Sequence, residues 1–293
     1  MTDRTAVAAE IASQPACWGL AGQAAGEAGR ALPRNGERVA VVGCGTSWFM
    51  AQAYAVRREA AGRGETDAFA ASELPSRRYD RVVAISRSGT TTEVLDLLRK
   101  IPADVPSVGI TGIHESPMAT LAGETIVLDF ADERSVVQTR FATSALALLR
   151  ASLGESLTDA IADAERALAE PLPLPADTEQ VTFLGRGWTV GLANEAALKC
   201  REAATFWSES YPAMEYRHGP ISIAGPGRAT WMFGHPPAGL ADDVAATGGT
   251  LVDSDLDPMA DLVRAQRFAV AVAESRGLDP DHPRHLTRSV ILG

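Results

Sequence analysis

Lysine is nearly missing from this chain. Of 27 basic residues among 293, two are lysine, Lys100 and Lys199, and the rest are arginine. Arginine carries charge but does not give up a proton near neutral pH, whereas lysine does. A chain that uses arginine almost everywhere keeps lysine where arginine will not serve, and that singles out Lys199. Lys100 closes the segment 95–100 and reads as a helix cap. Cysteine is also scarce. Cys17, Cys44 and Cys200 are too few and too scattered for a disulfide framework or a zinc site. A reducing cytoplasm fits them, and no metal or cofactor is expected. No apolar run approaches the roughly 18 residues of a membrane helix. The start, Met1-Thr-Asp-Arg-Thr-Ala-Val, lacks a signal-peptide pattern, so no membrane partner is expected. Excess positive charge is missing as well. The net charge of −10 argues against a broad nucleic-acid surface. A single small phosphate can still be held by N–H groups and hydroxyls with little net charge.

What is present is a globular balance, with 46% hydrophobic and 22% charged residues, over a length that suits two domains. Apolar periodicity gives alternating strands and helices. Strands are predicted at 38–43, 67–70, 81–86, 107–111 and 125–128. Helices are predicted within 5–32, from 47 to about 63, at 91–100 and at 141–153. A proline-rich stretch at 170–176 reads as a linker or helix exit. The pattern then restarts with a strand at 180–185 and a helix at 189–206. Strands at 229–234 and 250–253 and a long amphipathic helix at 258–276 follow. The expected division is a first domain over 1–155 and a second over 156–293. Strand, glycine turn and helix occur at 39–45 and again at 181–187. Such alternation argues for an α/β fold with parallel sheets covered on both faces. Ligands of such folds sit beyond the carboxyl ends of the strands.

The turn Ser86-Arg87-Ser88-Gly89-Thr90-Thr91 lies at such an end and opens a helix. A helix N-terminus offers unpaired N–H groups and partial positive charge. Ser86, Ser88 and Thr91 can donate to phosphate oxygens, Gly89 permits close approach, and Ser47 adds a hydroxyl from the neighbouring turn. Simple N-capping would account for one such residue. Five hydroxyl residues in two turns at one sheet edge point to anion binding. The loop is not a Walker motif, and Cys44-Gly-Thr-Ser47 is no dinucleotide fingerprint.

Glu195, Lys199 and Glu202 share one face of the helix predicted at 189–206. An exposed i,i+4 ion pair, worth about 0.3–0.5 kcal/mol, would explain Glu195 and Lys199 alone. Use of one of only two lysines, a preceding Gly-Arg-Gly turn and a following His218-Gly-Pro220 favour an acid–base group instead.

Together these segments resemble the sugar isomerase (SIS) domain family, and within it the isomerase half of glucosamine-6-phosphate synthases. The resemblance is carried by Gly43-Cys-Gly-Thr-Ser47, Ala71-Ser-Glu73, Ala84-Ile-Ser-Arg-Ser-Gly-Thr-Thr91, Gly185-Arg-Gly187, Glu195-Ala-Ala-Leu-Lys199, Glu202, Tyr211, His218-Gly-Pro220 and Pro283-Arg-His-Leu-Thr-Arg-Ser-Val290. It implies two tandem SIS domains, each a parallel sheet flanked by helices in a flavodoxin-like three-layer sandwich. It also implies that Ser47, Ser86, Ser88 and Thr91 hold the phosphate. By the same resemblance Glu202 shuttles a proton between C1 and C2, and Lys199 assists at the reacting centre. His218 opens the sugar ring and comes from the partner subunit of a homodimer. The implied substrate-binding set is Cys44, Gly45, Thr46, Ser47, Ser86, Arg87, Ser88, Thr91, Val136, Gln138, Glu195, Thr287 and Arg288. One base on one face of an enediol moves a carbonyl between C1 and C2, and a distant phosphate supplies orientation.

Three positions depart from the synthase pattern. Arg87 replaces glutamine, is expected to add charge to the phosphate grip, and resembles the deaminase and deglycase branches. Arg288 replaces a tail lysine and cannot serve as an amine. Gln138 stands where serine is usual, so contacts with sugar hydroxyls are expected to differ. No glutaminase domain is expected ahead of residue 38. The expected function is a phosphosugar isomerase or deaminase acting on an amino- or keto-amine sugar phosphate. The alternatives are a non-catalytic phosphosugar sensor and a simple aldose–ketose isomerase without nitrogen chemistry.

Overall fold

The computed structural model describes residues 5–292. The chain forms two compact units. One comprises residues 16–133, 138–157 and 287–292; the other comprises residues 5–15, 134–137 and 158–286. Short pieces therefore group with the unit remote from them in sequence.

The first unit is built on β1 (Val39–Gly43), β2 (Thr66–Ala70), β3 (Arg81–Ile85), β4 (Ser107–Thr111) and β5 (Glu124–Val127). All neighbours run parallel, in the order β2-β1-β3-β4-β5. This is the flavodoxin-like order. β1 and β3 are buried at every residue, which is why they read as unbroken apolar runs. The helices of this part of the chain are α1 (Ala6–Ala12), α2 (Gln14–Ala28), α3 (Thr46–Ala60), α4 (Thr92–Lys100), α5 (Pro117–Leu121) and α6 (Arg140–Ser152). α3 packs on β1 and β2 and against α6. Val94, Leu95 and Leu98 of α4 and Met118 of α5 join Ala40, Val42, Val82 and Ala84 of the sheet in one core cluster. Lys100 is exposed and ends α4, as its position suggested.

The second unit repeats the order one strand shorter. β6 (Gln180–Gly185), β7 (Ser208–Pro212), β8 (Arg228–Met232) and β9 (Thr250–Val252) are parallel in the order β7-β6-β8-β9. Its helices are α7 (Thr158–Ala169), α8 (Thr189–Ala204), α9 (Leu240–Ala246) and α10 (Pro258–Ser275), together with α1. α8 packs on β6, β7 and α10. Aromatic rings fill this core, with Phe183 5.8 Å from Trp231 and Phe206 edge-on to Phe268 at 5.9 Å. The Asp281 carboxylate accepts the first N–H groups of α1, from Ala6 and Val7, both at 2.7 Å.

Four elements were not expected from the sequence. β7, Ser-Glu-Ser-Tyr-Pro, is polar because it is an edge strand bonded on one side only, and its proline ends the pairing. α5 and α9 span five and seven residues, too short to show a helical period. α7 carries four charged residues among alanines and buries only Ala160, Ala164 and Ala167.

Candidate functional site

At the β1 exit, Gly43 admits no side chain. A Cβ there would lie 2.7 Å from the Ser47 carbonyl carbon. The bare backbone lets α3 start directly over the strand end, with Gly45 at φ +53° as the pivot. Thr46 and Ser47 are buried, Ser47 to 2% exposure. The Ser47 hydroxyl has no side-chain hydrogen bond among the described residues. Burial, with the Glu93 carboxylate adding to it, pushes the Cys44 thiol up to about 11. It is protonated at neutral pH and is no nucleophile.

β3 exits into 86–91, which starts two residues beyond the register pair Val42↔Ala84. Gly89 has φ +63°, and a Cβ there would strike Ser116 Oγ at 2.3 Å. Ser86 Oγ lies 3.2 Å from Thr91 Oγ1 and accepts the Gly89 N–H at 3.2 Å. Thr91, the N-cap position of α4, makes no side-chain capping bond. Capping therefore does not account for its hydroxyl.

Arg87 behaves differently from its neighbours. Its guanidinium is buried, pairs with Glu133 at 3.3 Å and donates to the Arg288 carbonyl at 3.1 Å. The charge expected to reinforce the phosphate grip is engaged by a carboxylate inside the unit. Glu133 also accepts the N–H groups of Thr139 and Arg140, at 2.6 and 2.8 Å. Arg288 pairs with Asp132 and donates to the Glu133 carbonyl. Its side chain thus fastens residues 287–292 to the unit. The Thr287 hydroxyl is 2.8 Å from the Ser289 carbonyl. Gln138 Oε1 is buried with no hydrogen-bond partner among the described residues. Val136, two residues earlier, groups with the second unit and bonds through its N–H to the Asp281 carbonyl at 3.2 Å.

The second unit carries Glu195, Lys199, Glu202 and His218. Gly185 matches Gly43, since a Cβ there would lie 2.3 Å from the Thr189 carbonyl oxygen. α8 starts over β6 and presents Glu195, Lys199 and Glu202 in succession. They are no exposed ion pair. The Lys199 and Glu195 side chains are 2% and 1% exposed, with Nζ 3.4 Å from Glu195 Oε1. Lys199 also pairs with Glu202, whose side chain keeps 20% exposure. Two carboxylates around one buried ammonium offset part of the cost of taking these charges out of water. α8 ends at Thr205 with φ +47°, an uncommon conformation for a β-branched residue. His218 closes a short 3-10 turn, is exposed, and makes no side-chain hydrogen bond among the described residues.

Sequence reasoning passed over Ser289 and Glu133. Ser289 lies inside a segment already singled out, but nothing in a sequence says which hydroxyl or carboxylate a loop will meet.

No protein-family model matches the chain. Over 88% of its length it is 27% identical to the glutamine–fructose-6-phosphate aminotransferase [isomerizing] of Sulfurisphaera tokodaii, covering 51% of that protein. The enzyme of the same name from Gloeobacter violaceus is 29% identical over 87% of the chain and 52% of its own length. The chain spans about half the length of these curated relatives. Among solved structures, glucosamine-6-phosphate deaminase from Thermotoga maritima is 26% identical. It matches 98% of this chain and 100% of its own with a TM-score of 0.82. The C-terminal domain of glucosamine-fructose-6-phosphate aminotransferase from Francisella tularensis gives the same TM-score at 21% identity, over 96% and 99% of the two chains. At that identity the likeness is one of fold.

Proposed function

We propose that this chain is a sugar-phosphate isomerase or deaminase acting on an amino- or keto-amine sugar phosphate. The observation that carries the reading is the buried Lys199 between Glu195 and Glu202, with Glu202 alone keeping solvent access. A partly exposed carboxylate can take a proton from carbon. A neighbouring ammonium stabilises the negative charge that develops on oxygen. The similarity to a glucosamine-6-phosphate deaminase and to about half of the isomerizing aminotransferases supports the substrate class.

In this reading Ser47, Ser86, Ser88 and Thr91 hold the phosphate. With open-chain glucosamine 6-phosphate, Glu202 removes the proton from C2. The electron pair passes to the C1 oxygen, which takes up a proton, leaving an enaminol. Return of the proton to C1 gives a ketimine at C2, and water hydrolyses it to ketose phosphate and ammonia. His218 assists ring opening from the partner subunit of a homodimer.

The test is incubation in D2O with glucosamine 6-phosphate, fructosamine 6-phosphates and plain hexose phosphates, following ammonia, amine, ketose and deuterium uptake. Ammonia or amine release is the expected result. Ketose formation without nitrogen release would leave a plain isomerase. Tight binding with no exchange would make the chain a sensor and sink the catalytic reading. Activity restored on mixing His218→Ala with Glu202→Gln subunits is expected for a shared site.

A further inference from the structure

Residues 287–292 lie on the 86–91 loop, and the contacts are polar. The Thr92 N–H donates to the Val290 carbonyl at 3.1 Å, and the Leu292 N–H donates to Thr92 Oγ1 at 2.9 Å. Arg87 holds the Arg288 carbonyl, and Arg288 is tied to Asp132 and the Glu133 carbonyl. Val290, Ile291 and Leu292 remain exposed, so burial does not hold this segment. Hydrogen bonds fix where Ser289 sits.

That place is within a cluster of hydroxyls. Ser289 Oγ is 3.1 Å from Ser88 Oγ and 2.9 Å from Thr90 Oγ1, which is itself 2.9 Å from Ser88 Oγ. The Thr90 N–H also points to Ser88 Oγ, at 3.2 Å. Three O–H groups and one N–H thus share three oxygens. Among the described residues the cluster bonds to no acceptor outside itself. Such a triangle can pass its hydrogens round the ring, and because hydroxyl hydrogens rotate, each can turn to an arriving acceptor. An anion bonded by such donors makes shorter, stronger bonds than the hydroxyls make to one another.

We infer that Ser289 is a further ligand of the anion bound by the 86–91 loop. The segment 287–292 is then part of the phosphate site, held there by Arg87, Arg288 and Thr92. The inference rests on the anion-binding reading of the loop and adds a residue to it. It takes the phosphate end of the substrate, or inorganic phosphate, as its ligand.

The experiment is calorimetric titration of the full chain with inorganic phosphate, for wild type, Ser47→Ala, Ser289→Ala and Ser289→Thr. Melting temperatures are measured in parallel. Loss of one hydroxyl to an anion predicts roughly tenfold weaker binding for Ser289→Ala. Its melting temperature without phosphate should be unchanged, and the threonine variant should regain most of the affinity. Weaker binding by Ser47→Ala together with unchanged or tighter binding by Ser289→Ala overturns this inference and leaves the loop reading standing. Tighter binding would mean the segment competes with the anion. Weakening that the threonine variant does not rescue assigns the effect to segment order and also overturns it. Absence of phosphate binding by the wild type, or indifference to Ser47→Ala, overturns the loop reading and this inference with it.

Discussion

The exits of β1 and β6 are built alike and used differently. Each strand ends in a glycine that no side chain could replace, Gly43 or Gly185, with a helix starting over it. Each carries a hydroxyl four residues on, Ser47 or Thr189. Thr189 Oγ1 accepts the Arg186 N–H at 2.8 Å and lies 3.1 Å from both the Arg186 and Phe233 carbonyls. It is consumed by its own backbone. Ser47 is equally buried and bonds to no side-chain or backbone partner through its hydroxyl among the described residues. The next exits differ further. β3 runs into four hydroxyl residues and a glycine, and β8 runs into Phe233-Gly-His-Pro-Pro-Ala-Gly239. The same topology thus keeps donors unspent in one unit and closes them off in the other. An unspent hydroxyl at a strand exit is available to an incoming acceptor.

Four experiments would break or sharpen this contrast. The largest effect is expected at the base proposed for the second unit. Glu202→Gln should lower turnover and deuterium exchange by about 10²–10⁴-fold while phosphate affinity changes little. Retained exchange removes Glu202 as the base. Next come the paired glycines. Gly43→Ala and Gly185→Ala should each destabilise by about 3 kcal/mol, Gly185→Ala more, since its Cβ would meet backbone at 2.3 Å. A urea midpoint lowered in one variant and left at the wild-type value in the other would show that the strand exits are not built alike.

Buried acids of the two units are expected to titrate with opposite signs. Burial pushes Asp261 up to about 6, against the Trp231 hydrogen bond and the Arg264 charge. Its native form binds more protons than the unfolded chain between about pH 4 and 6. Its contribution therefore falls as pH rises through that window, by on the order of 2–3 kcal/mol. Glu37 is partly buried too, which alone would raise it, but Arg81 and the Arg34 N–H hold it below its ordinary value. Its contribution is present above about 4.5 and is lost as pH falls through its lowered folded value. Denaturation at successive pH values should give a flatter pH profile from 4 to 6 for Asp261→Asn, and weaker acid loss for Glu37→Gln. The reverse slopes would reverse the assignment.

The smallest effects compare the twin hydroxyls. Thr189→Ala should cost about 1–2 kcal/mol of stability and leave sugar-phosphate affinity alone. Ser47→Ala should do the opposite, with stability within about 0.5 kcal/mol of wild type and weaker binding. Equal behaviour of the two would erase the distinction between the units.

Much of this was readable beforehand. The buried strands β1, β3, β6 and β8 announced themselves as apolar runs, and the glycine turns after β1 and β6 were visible as a repeat. β7 was not readable, because an edge strand need not be apolar. The face shared by Glu195, Lys199 and Glu202 followed from helical spacing, but its burial did not, since that depends on what packs over α8. Arg87 was read as a ligand of the phosphate and is found paired with Glu133, because the partner of a buried cation lies 46 residues away.

The sequence by itself determined two runs of alternating strand and helix, the glycines at the strand exits and the positions of the hydroxyls, because each depends on local spacing and backbone sterics. Lysine scarcity pointed at Lys199 before any coordinate did. Only the tertiary structure decided which of these groups keeps a free hand. Ser47 does and Thr189 does not; Glu202 keeps solvent and Lys199 loses it. Ser289 is brought to a loop nearly two hundred residues before it in the chain. Those outcomes follow from long-range hydrogen bonding and burial, which sequence spacing does not encode.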